Sequence, residues 1–259
     1  MPSLTDVPHP DAGRTAIITG AARGLGLAMS KGFLEAGYRV FLVDRDEDAL
    51  RQEYESLAHQ FGARAHAHAI DLTDSKAPDV IVDLAVKEFG TLDVLINNAA
   101  VVVLSPFLST SPEELKDTIS VNIESVFQLT QRVATHMVSK KTGCIITLGS
   151  SNASVGVTYT SAYSTSKGAV TSFARQLAVE LAPHGIVSNV IAPGTIMTDR
   201  VLAALDRDAL DRRLSRIPTG RFVEAQDVVS LALFLASDSG RSINGQVLAI
   251  DGGFTIMGA

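Results

Sequence analysis

Short apolar runs alternate with longer helical patterns along almost the whole chain, and this alternation constrains the fold more than any other feature. The apolar runs have the length of buried strands, and the segments between them have the length and periodicity of helices. Repeated units of this kind form a parallel sheet that helices cover on both faces. The predicted strands are Thr15–Thr19, Arg39–Asp44, Ala65–Ile70, Leu92–Ile96, Cys144–Leu148, Ile186–Ile191 and Gln246–Ile250.

The length of 259 residues suits one large α/β domain. We therefore predict a Rossmann-type doubly wound parallel sheet of about seven strands, flanked by helices, over residues 14–259. Residues 1–13 are polar and contain three prolines, so we expect an N-terminal tail there. In such a sheet the ligand lies beyond the carboxyl ends of the strands, where the winding reverses.

Charge and cysteine content exclude several classes of partner. The net charge of −6 argues against nucleic acid and anionic membranes. No secretory signal and no membrane-spanning run is visible, and Cys144 is the only cysteine. We expect a cytoplasmic protein.

His66 and His68 share a strand face without a nearby third ligand, so no metal site is predicted.

A glycine-rich segment follows the first predicted strand and precedes a helix. It reads Thr19-Gly20-Ala21-Ala22-Arg23-Gly24-Leu25-Gly26, with the spacing GxxxGxG. Glycine permits a tight turn and lets the backbone and a helix N-terminus approach a pyrophosphate. The segment predicts a dinucleotide site that includes Gly20, Arg23, Gly24, Leu25 and Gly26.

The second predicted strand ends at Asp44, 24 positions after Gly20. A carboxylate there accepts hydrogen bonds from the adenosine ribose and repels a 2′-phosphate, which favours NAD over NADP. Arg23 and Arg45 argue for NADP, because either cation could pair with that phosphate. We predict NAD as the cofactor, with NADP as the alternative.

Tyr163 and Lys167 lie four residues apart at the start of a predicted helix, so both side chains project from one face. A free phenol titrates near ~10, and a nearby cation stabilises the phenolate. The pair is therefore suited to proton transfer near neutral pH. Ser150 ends the fifth predicted strand, thirteen residues before Tyr163.

Taken together, these residues resemble the short-chain dehydrogenase/reductase family. The resemblance covers nearly the whole chain from residue 14. Its motifs follow in order: TGAARGLG at 19–26, Asp71-Leu72, Asn97-Asn98-Ala99, Asn122, Ser150, Tyr163/Lys167, and Pro193-Gly194 through Thr198. One departure is visible, because the family usually continues Asn-Asn-Ala with glycine and this chain has Ala100.

The resemblance implies a catalytic group of four residues. Tyr163 would be the general acid/base, and Ser150 would hydrogen-bond the substrate oxygen. Lys167 would lower the pKa of Tyr163 and bind the nicotinamide ribose, and Asn122 would hold a water in a proton relay. Further cofactor contacts implied by the motifs are Asp71, Leu72, Asn98, Ala99, Pro193, Gly194, Ile196 and Thr198.

The implied activity is interconversion of a secondary alcohol and a ketone by hydride transfer. Asn152 and Tyr159, with Ser150 and Tyr163, are the expected substrate contacts. An amphipathic lid is expected over residues 195–222, which combine charged residues with the apolar Val201, Leu202, Leu205, Leu210 and Leu214.

The sequence does not distinguish a sugar or polyol from a steroid, a terpenoid or an acyl thioester. Two alternatives stay open: a 3-ketoacyl thioester reductase that uses NADPH, and a nucleotide-binding protein without catalysis. Small and apolar residues along the helix that begins near Tyr163 favour self-association. Because many members of the family are tetramers, we expect a homotetramer.

Overall fold

The computed structural model describes residues 13–197 and 206–257. They form one parallel sheet of seven strands in the order β3-β2-β1-β4-β5-β6-β7, so the winding reverses between β1 and β4. The strands are β1 Thr15–Thr19, β2 Arg39–Asp44, β3 Ala65–Ala69, β4 Val94–Asn97, β5 Gly143–Leu148, β6 Ile186–Pro193 and β7 Val247–Ile250.

Helices cover both faces of the sheet, and one π-helical turn, Ser120–Glu124, joins α4 to α5. A capping box of Ser111 and Glu114 starts α4, because each side chain accepts a backbone N–H of the other residue. The described helices are α1 Gly24–Glu35, α2 Glu47–Phe61, α3 Ala77–Phe89, α4 Pro112–Ile119, α5 Ser125–Lys140, α6 Ser161–Glu180, α7 Arg207–Leu214 and α8 Ala225–Ala236.

Two apolar layers hold the sheet, one on each face. Neighbouring residues of β1 enter opposite layers, since Ile18 packs with α1, α2 and α8 whereas Ile17 packs with α3 and α5. Every residue of β1, β4, β5 and β6 is buried. These central strands are rigid, and they fix the positions of the loops that follow them.

The predicted strands are confirmed with small shifts at their ends. β1 and β2 have the predicted bounds, and β6 continues two residues further, to Pro193. β3 forms an edge of the sheet, which explains why its sequence AHAHA is only partly buried. Within the described residues, no helix combines the length and apolar character needed to span a bilayer.

Candidate active site

The loops after the strands line two adjoining cavities at the carboxyl edge of the sheet. The larger has a volume of about 920 Å³ and the smaller about 620 Å³. Leu25, Asn98, Ala100 and Val102 line both, so the cavities meet where the winding of the sheet reverses. Two connected cavities at this point suit an elongated ligand such as a dinucleotide.

The glycine-rich loop packs closely against the end of β4. Gly20 has a φ of 67°, and a Cβ on it would lie 2.9 Å from the Ala99 Cα and from the Asn98 amide nitrogen. A Cβ on Gly26 would overlap the carbonyl oxygen of Gly20. These two positions exclude side chains, because the loop leaves no room for them.

Asn98 connects this loop to β4. Its Nδ2 donates to the carbonyl oxygen of Thr19 at 2.8 Å and to that of Gly20 at 3.2 Å. The hydroxyl of Thr19 in turn accepts the backbone N–H groups of Asn98 and Ala99. Asn98 thus lines the cavities, as expected, and its amide group also holds the glycine-rich loop in place.

The first turn of α1 faces the smaller cavity and is open to an anion. Arg23 occupies the N-cap position without a capping hydrogen bond, and the turn contains no acidic residue. Gly24 and Leu25 line the cavity at this turn. Backbone N–H groups that lack internal partners, together with the helix dipole, form a site for a pyrophosphate.

Asp44 lines the smaller cavity at the end of β2. Its Oδ2 accepts the N–H of Ala22 at 3.0 Å, and its Oδ1 accepts the N–H of Asp46 at 3.1 Å. Arg23 and Arg45 are both exposed, and Arg23 forms an ion pair with Asp46, whereas no ion pair of Arg45 is present among the described residues. Each oxygen of Asp44 keeps a lone pair for a ligand hydroxyl group.

Asp71 and Leu72 line the same cavity after β3. The backbone N–H of Thr73 hydrogen-bonds the Asp71 carboxylate and holds its pKa below the usual range. Burial opposes this effect but is smaller than the effect of the backbone hydrogen bond. The Thr73 hydroxyl lowers the pKa further. Asp71 therefore stays ionised, and its carboxylate can accept a hydrogen bond from the amino group of an adenine in this cavity.

Tyr163, Lys167 and Ser150 line the larger cavity together. Lys167 is buried, and its Nζ donates to the carbonyl oxygen of Leu148 at 2.7 Å. The same Nζ lies 5.7 Å from the centroid of the Tyr163 ring. Burial lowers the pKa of Lys167 to about 8. A cation thus lies beside the phenol, where the sequence predicted it.

Ser150 follows β5 and is buried in the cavity wall. Its Oγ accepts the N–H of Asn152 at 3.1 Å, which caps the short 3₁₀ turn Ser151–Ala153. The hydroxyl proton is not used in that bond, so it can be donated to a substrate oxygen. Asn152 lines the same cavity.

Asn122 lies behind the cavities and is not among the residues that line them. Its Nδ2 donates to the carbonyl oxygen of Val101 at 2.9 Å and to Ser166 Oγ at 3.0 Å. Its Oδ1 accepts the N–H of Val101 at 2.8 Å. Both amide protons are therefore used to join the segment after β4 to α6.

Tyr159 lines the larger cavity with its backbone in the left-handed region, at a φ of 65°. Its carbonyl oxygen accepts the N–H of Ser105 at 3.0 Å. This conformation costs a non-glycine residue about 1–2 kcal/mol, and such strain is found most often at ligand sites. The tertiary contact with Ser105 holds the ring, 61 % exposed, at the cavity mouth.

Residues 193–196, at the end of β6 and directly after it, line the larger cavity, and the contacts with the cofactor predicted for Pro193, Gly194 and Ile196 stay predictions. Ile196 pairs with Val223 through an isolated parallel bridge. Thr198 lies outside the described residues. Its predicted contact with the carboxamide therefore stays a prediction.

Sequence reasoning missed Asp251, which follows β7 and supports this wall. A Cβ on Gly194 would lie 3.0 Å from Asp251. Burial tends to raise the pKa of this carboxyl, but hydrogen bonds from Thr255 and from the Gly253 N–H hold it below its usual value. The signal was the sequence Asp251-Gly252-Gly253 directly after a strand.

The predicted lid segment contributes cationic residues to the wall of the larger cavity. Arginines of α7 and the turn after it, rather than its leucines, line the larger cavity. Leu210 and Leu214 are not among the lining residues. Val201, Leu202 and Leu205 lie outside the described residues. The lining positions from this segment are Ala209, Arg212, Arg213, Arg216 and Ile217.

The histidines of β3 form no metal centre with neighbouring groups. His66 Nε2 lies 3.4 Å from Glu88 and packs against Phe89. Across residues 13–197 and 206–257, no three histidine, cysteine, aspartate or glutamate side chains are grouped so as to hold a metal ion. Cys144 is buried, which raises its pKa to about 12 and makes it unreactive.

Comparison with known proteins agrees with this geometry. A family model described as enoyl-(acyl carrier protein) reductase matches residues 20–255. The chain is 34% identical to 5-keto-D-gluconate 5-reductase of Escherichia coli, over 95% of this chain and 96% of that protein.

Two solved structures are similar over nearly their full length. A gluconate 5-dehydrogenase from Burkholderia cenocepacia, in complex with NADP and tartrate, is 30% identical with a TM-score of 0.90, covering 95% of this chain and 97% of that one. A 3-ketoacyl-(acyl-carrier-protein) reductase from Brucella melitensis, complexed with NADH, is 30% identical with a TM-score of 0.88, covering 95% and 99%.

The doubly wound sheet, the glycine-rich loop and the cavity with Tyr163 and Lys167 define a nicotinamide-dependent oxidoreductase. It interconverts a secondary alcohol and a ketone. The chain belongs to the short-chain dehydrogenase/reductase family.

Proposed function

We propose that this protein is an NAD(H)-dependent dehydrogenase and ketone reductase for a small-molecule secondary alcohol, with Tyr163 as the general acid/base. The observation that carries the proposal is the common cavity of Tyr163, Lys167 and Ser150, which adjoins a second cavity suited to a dinucleotide. When bound, the nicotinamide supplies the hydride acceptor for oxidation and the donor for reduction.

In alcohol oxidation, Tyr163 in its phenolate form accepts the hydroxyl proton as the carbinol carbon loses hydride. Ser150 donates a hydrogen bond to the same substrate oxygen and orients it. In ketone reduction the phenol returns its proton to that oxygen. Both side chains line the same cavity, which supports their acting on the same substrate.

Lys167 favours the phenolate through its charge. Its pKa of about 8 leaves the ammonium group mostly protonated at neutral pH. The hydrogen bond to Leu148 holds the ammonium group beside the ring, so its position does not depend on substrate. The Asn122 amide keeps the segment after β4 attached to α6, and a water of the proton relay would contact backbone atoms nearby.

Asp44 supports NAD(H) as the preferred cofactor. Its carboxylate has free lone pairs for two ribose hydroxyls, and Arg23, one of the two candidate partners of a 2′-phosphate, is paired with Asp46. The comparisons favour NADP, because two structural relatives bind it, the Burkholderia enzyme among them, whereas the NADH bound by the Brucella relative supports NAD(H).

Steady-state kinetics with each cofactor test this preference. We expect a higher kcat/KM with NAD(H) than with NADP(H), and Asp44→Ala should narrow the difference. Arg45→Ala is the matched variant, because it removes an exposed cation and should widen the difference. A tenfold preference of the wild type for NADP(H), about 1.4 kcal/mol, would contradict the role given to Asp44.

A panel of secondary alcohols and ketones, followed by NADH absorbance, tests the activity itself. Acetoacetyl-CoA belongs in this panel, because the family description and the Brucella relative favour a thioester reductase as the second candidate. Turnover of the thioester alone would favour that candidate. Cofactor binding without any turnover would favour a non-catalytic protein.

The remaining assignments complete the proposal. The partner is a small alcohol or ketone, the protein forms a homotetramer, and it acts in the cytoplasm. The acidic balance and the single buried thiol of Cys144 support the location. Exposed apolar side chains on α4, α5 and α6 support the tetramer.

A further inference from the structure

The larger cavity carries positive charge without balancing acid. Its lining includes Lys167, Arg212, Arg213 and Arg216, and no aspartate or glutamate is among its described lining residues. The chain as a whole has a net charge of −6. A cavity whose charge is opposite to that of the whole protein concentrates anions.

The register of α7 directs these arginines to the cavity. Ala209, Arg212, Arg213 and Arg216 are spaced i, i+3, i+4 and i+7, which is one face of a helix. Arg216 follows α7, and its guanidinium carbon lies 5.1 Å from the centroid of the Phe254 ring. That ring lines the same cavity, so the aromatic contact holds the cation at the wall.

The three guanidinium groups have no acidic partner within the described part of the chain. In contrast, Arg132 pairs with two aspartates of α3, and Arg221 pairs with Asp227. The C-terminal dipole of α7 stabilises Arg212 and Arg213, but it uses few of their hydrogen-bond donors. Those donors remain available to a ligand.

The cofactor does not account for these cations. Its pyrophosphate is expected at the first turn of α1, whose residues Gly24 and Leu25 line the smaller cavity. The arginines line the larger cavity, with the catalytic residues. They therefore face the substrate.

We propose that Arg212, Arg213 and Arg216 bind an anionic group, a carboxylate or a phosphate, of a substrate whose reacting carbon lies at Tyr163. This proposal rests on the proposed function and names its substrate class: a hydroxy or oxo compound with a negative charge at the end remote from the reacting carbon. Guanidinium groups bind both anions through paired N–H donors. The contact orients the substrate and selects it against neutral alcohols.

Matched probes test the subsite by binding, independently of turnover. D-gluconate and D-sorbitol share one carbon skeleton and differ in charge at C1, and D-sorbitol 1-phosphate places a phosphate at that same end. Calorimetry on the full chain saturated with NADH, with which these alcohols cannot be oxidised, should show tighter binding of at least one anion than of sorbitol. Comparison of the two anions distinguishes carboxylate from phosphate.

Substitution of the arginines should remove the difference between the probes. We expect Arg212→Gln combined with Arg216→Gln to weaken binding of the preferred anion by at least about tenfold, because two charged hydrogen-bond donors are lost. Sorbitol binding and NADH affinity should stay unchanged. Arg207→Gln is the control, since this arginine belongs to the same helix and does not line the cavity.

The outcomes separate this proposal from the proposed function. It is overturned if the anions bind no tighter than sorbitol, if Arg207→Gln has the same effect, or if the double variant weakens NADH equally. If sorbitol is oxidised and the anions are not preferred, the dehydrogenase stands and the subsite fails. If an anion binds through the arginines but no substrate of the panel is turned over, the subsite stands and the proposed activity fails.

Discussion

Lys167 is a cation whose side chain is almost fully buried. Burial lowers its pKa to about 8, below the value in an unfolded chain. The unfolded state therefore binds more protons between these two pKa values. The buried charge destabilises the folded state most at pH values below the folded pKa. This destabilisation disappears as the pH rises through the unfolded pKa, near ~10.4.

Lys167→Met should accordingly reduce activity without reducing the stability of the ligand-free protein at neutral pH. At about pH 7 we expect the ligand-free variant to melt no lower than the wild type, because an apolar side chain replaces a buried charge. The gain should shrink towards about pH 10, where the lysine is neutral in the wild type. Turnover and cofactor affinity should fall at both pH values. Scanning fluorimetry measures the melting temperatures of both proteins over this pH range. A melting-temperature difference in favour of the variant that grows with pH would contradict the prediction.

Tyr163→Phe tests the proton transfer directly. The ring and its packing are kept, so NADH affinity should stay within a few fold. General acid/base groups contribute ~10²–10⁴-fold, so kcat should fall by at least about a hundredfold. Tyr159→Phe serves as control, because that ring lines the cavity without a proposed proton transfer. The assay needs a substrate for which chemistry limits the rate, and near wild-type turnover would reject the mechanism.

At the level of single residues, the sequence predicted those whose chemistry depends on local spacing. Tyr163 and Lys167 share a helix face wherever that helix lies. Asp44 ends one strand and Ser150 closely follows another, and the positions of both strands were predictable. The hydrogen bonds of Asn122 and the support from Asp251 join segments far apart in the chain. No local pattern predicts such partners.

At the level of elements, the glycine-rich loop and α1 act as one unit with β4. Gly26→Ala should disturb this unit, because its Cβ would overlap the carbonyl oxygen of Gly20. We expect a loss of about 1–3 kcal/mol in stability, as for overpacked sites, and weaker cofactor binding. Gly168→Ala is the control in another helix, where a Cβ meets open space. It should be neutral or stabilise the protein by up to about 1 kcal/mol.

Denaturant unfolding and NADH titration of both variants measure these effects. Equal stability of Gly26→Ala and the wild type would show that the loop can move away from β4.

The central strands β1, β4, β5 and β6 were predictable because their apolar runs are continuous and buried on both faces. Which side of α7 faces the cavity was not predictable from the sequence. The helix is short, and its orientation depends on contacts with the cavity and with Phe254. Leucines and arginines mixed along so short a helix do not tell which side faces the cavity. The arginine face became visible only from the fold.

At the level of the whole molecule, large apolar side chains remain exposed on the outer faces of α4, α5 and α6. Phe127 and Phe173 stack with ring centroids 4.8 Å apart, and Phe127 is still 48 % exposed. Others on these helices are Leu115, Ile119 and Val179. Exposed apolar patches of this kind are typical of subunit contacts.

We therefore expect a closed homo-oligomer, most simply a tetramer. Light scattering at micromolar protein concentration measures the mass. Phe127→Glu should shift it towards smaller species, because it introduces a charge into the apolar patch. A monomeric mass for the wild type would refute the expectation.

Asp44 serves two purposes, and this has a consequence for protein engineering. The same carboxylate that we expect to select the cofactor also accepts the N–H of Ala22, inside the glycine-rich loop. An attempt to reverse cofactor preference by removing the carboxylate would leave that N–H without its acceptor. Asparagine or serine at position 44 could retain the hydrogen bond with less charge. A redesigned enzyme should therefore start from those residues, with alanine reserved for measuring what the carboxylate contributes.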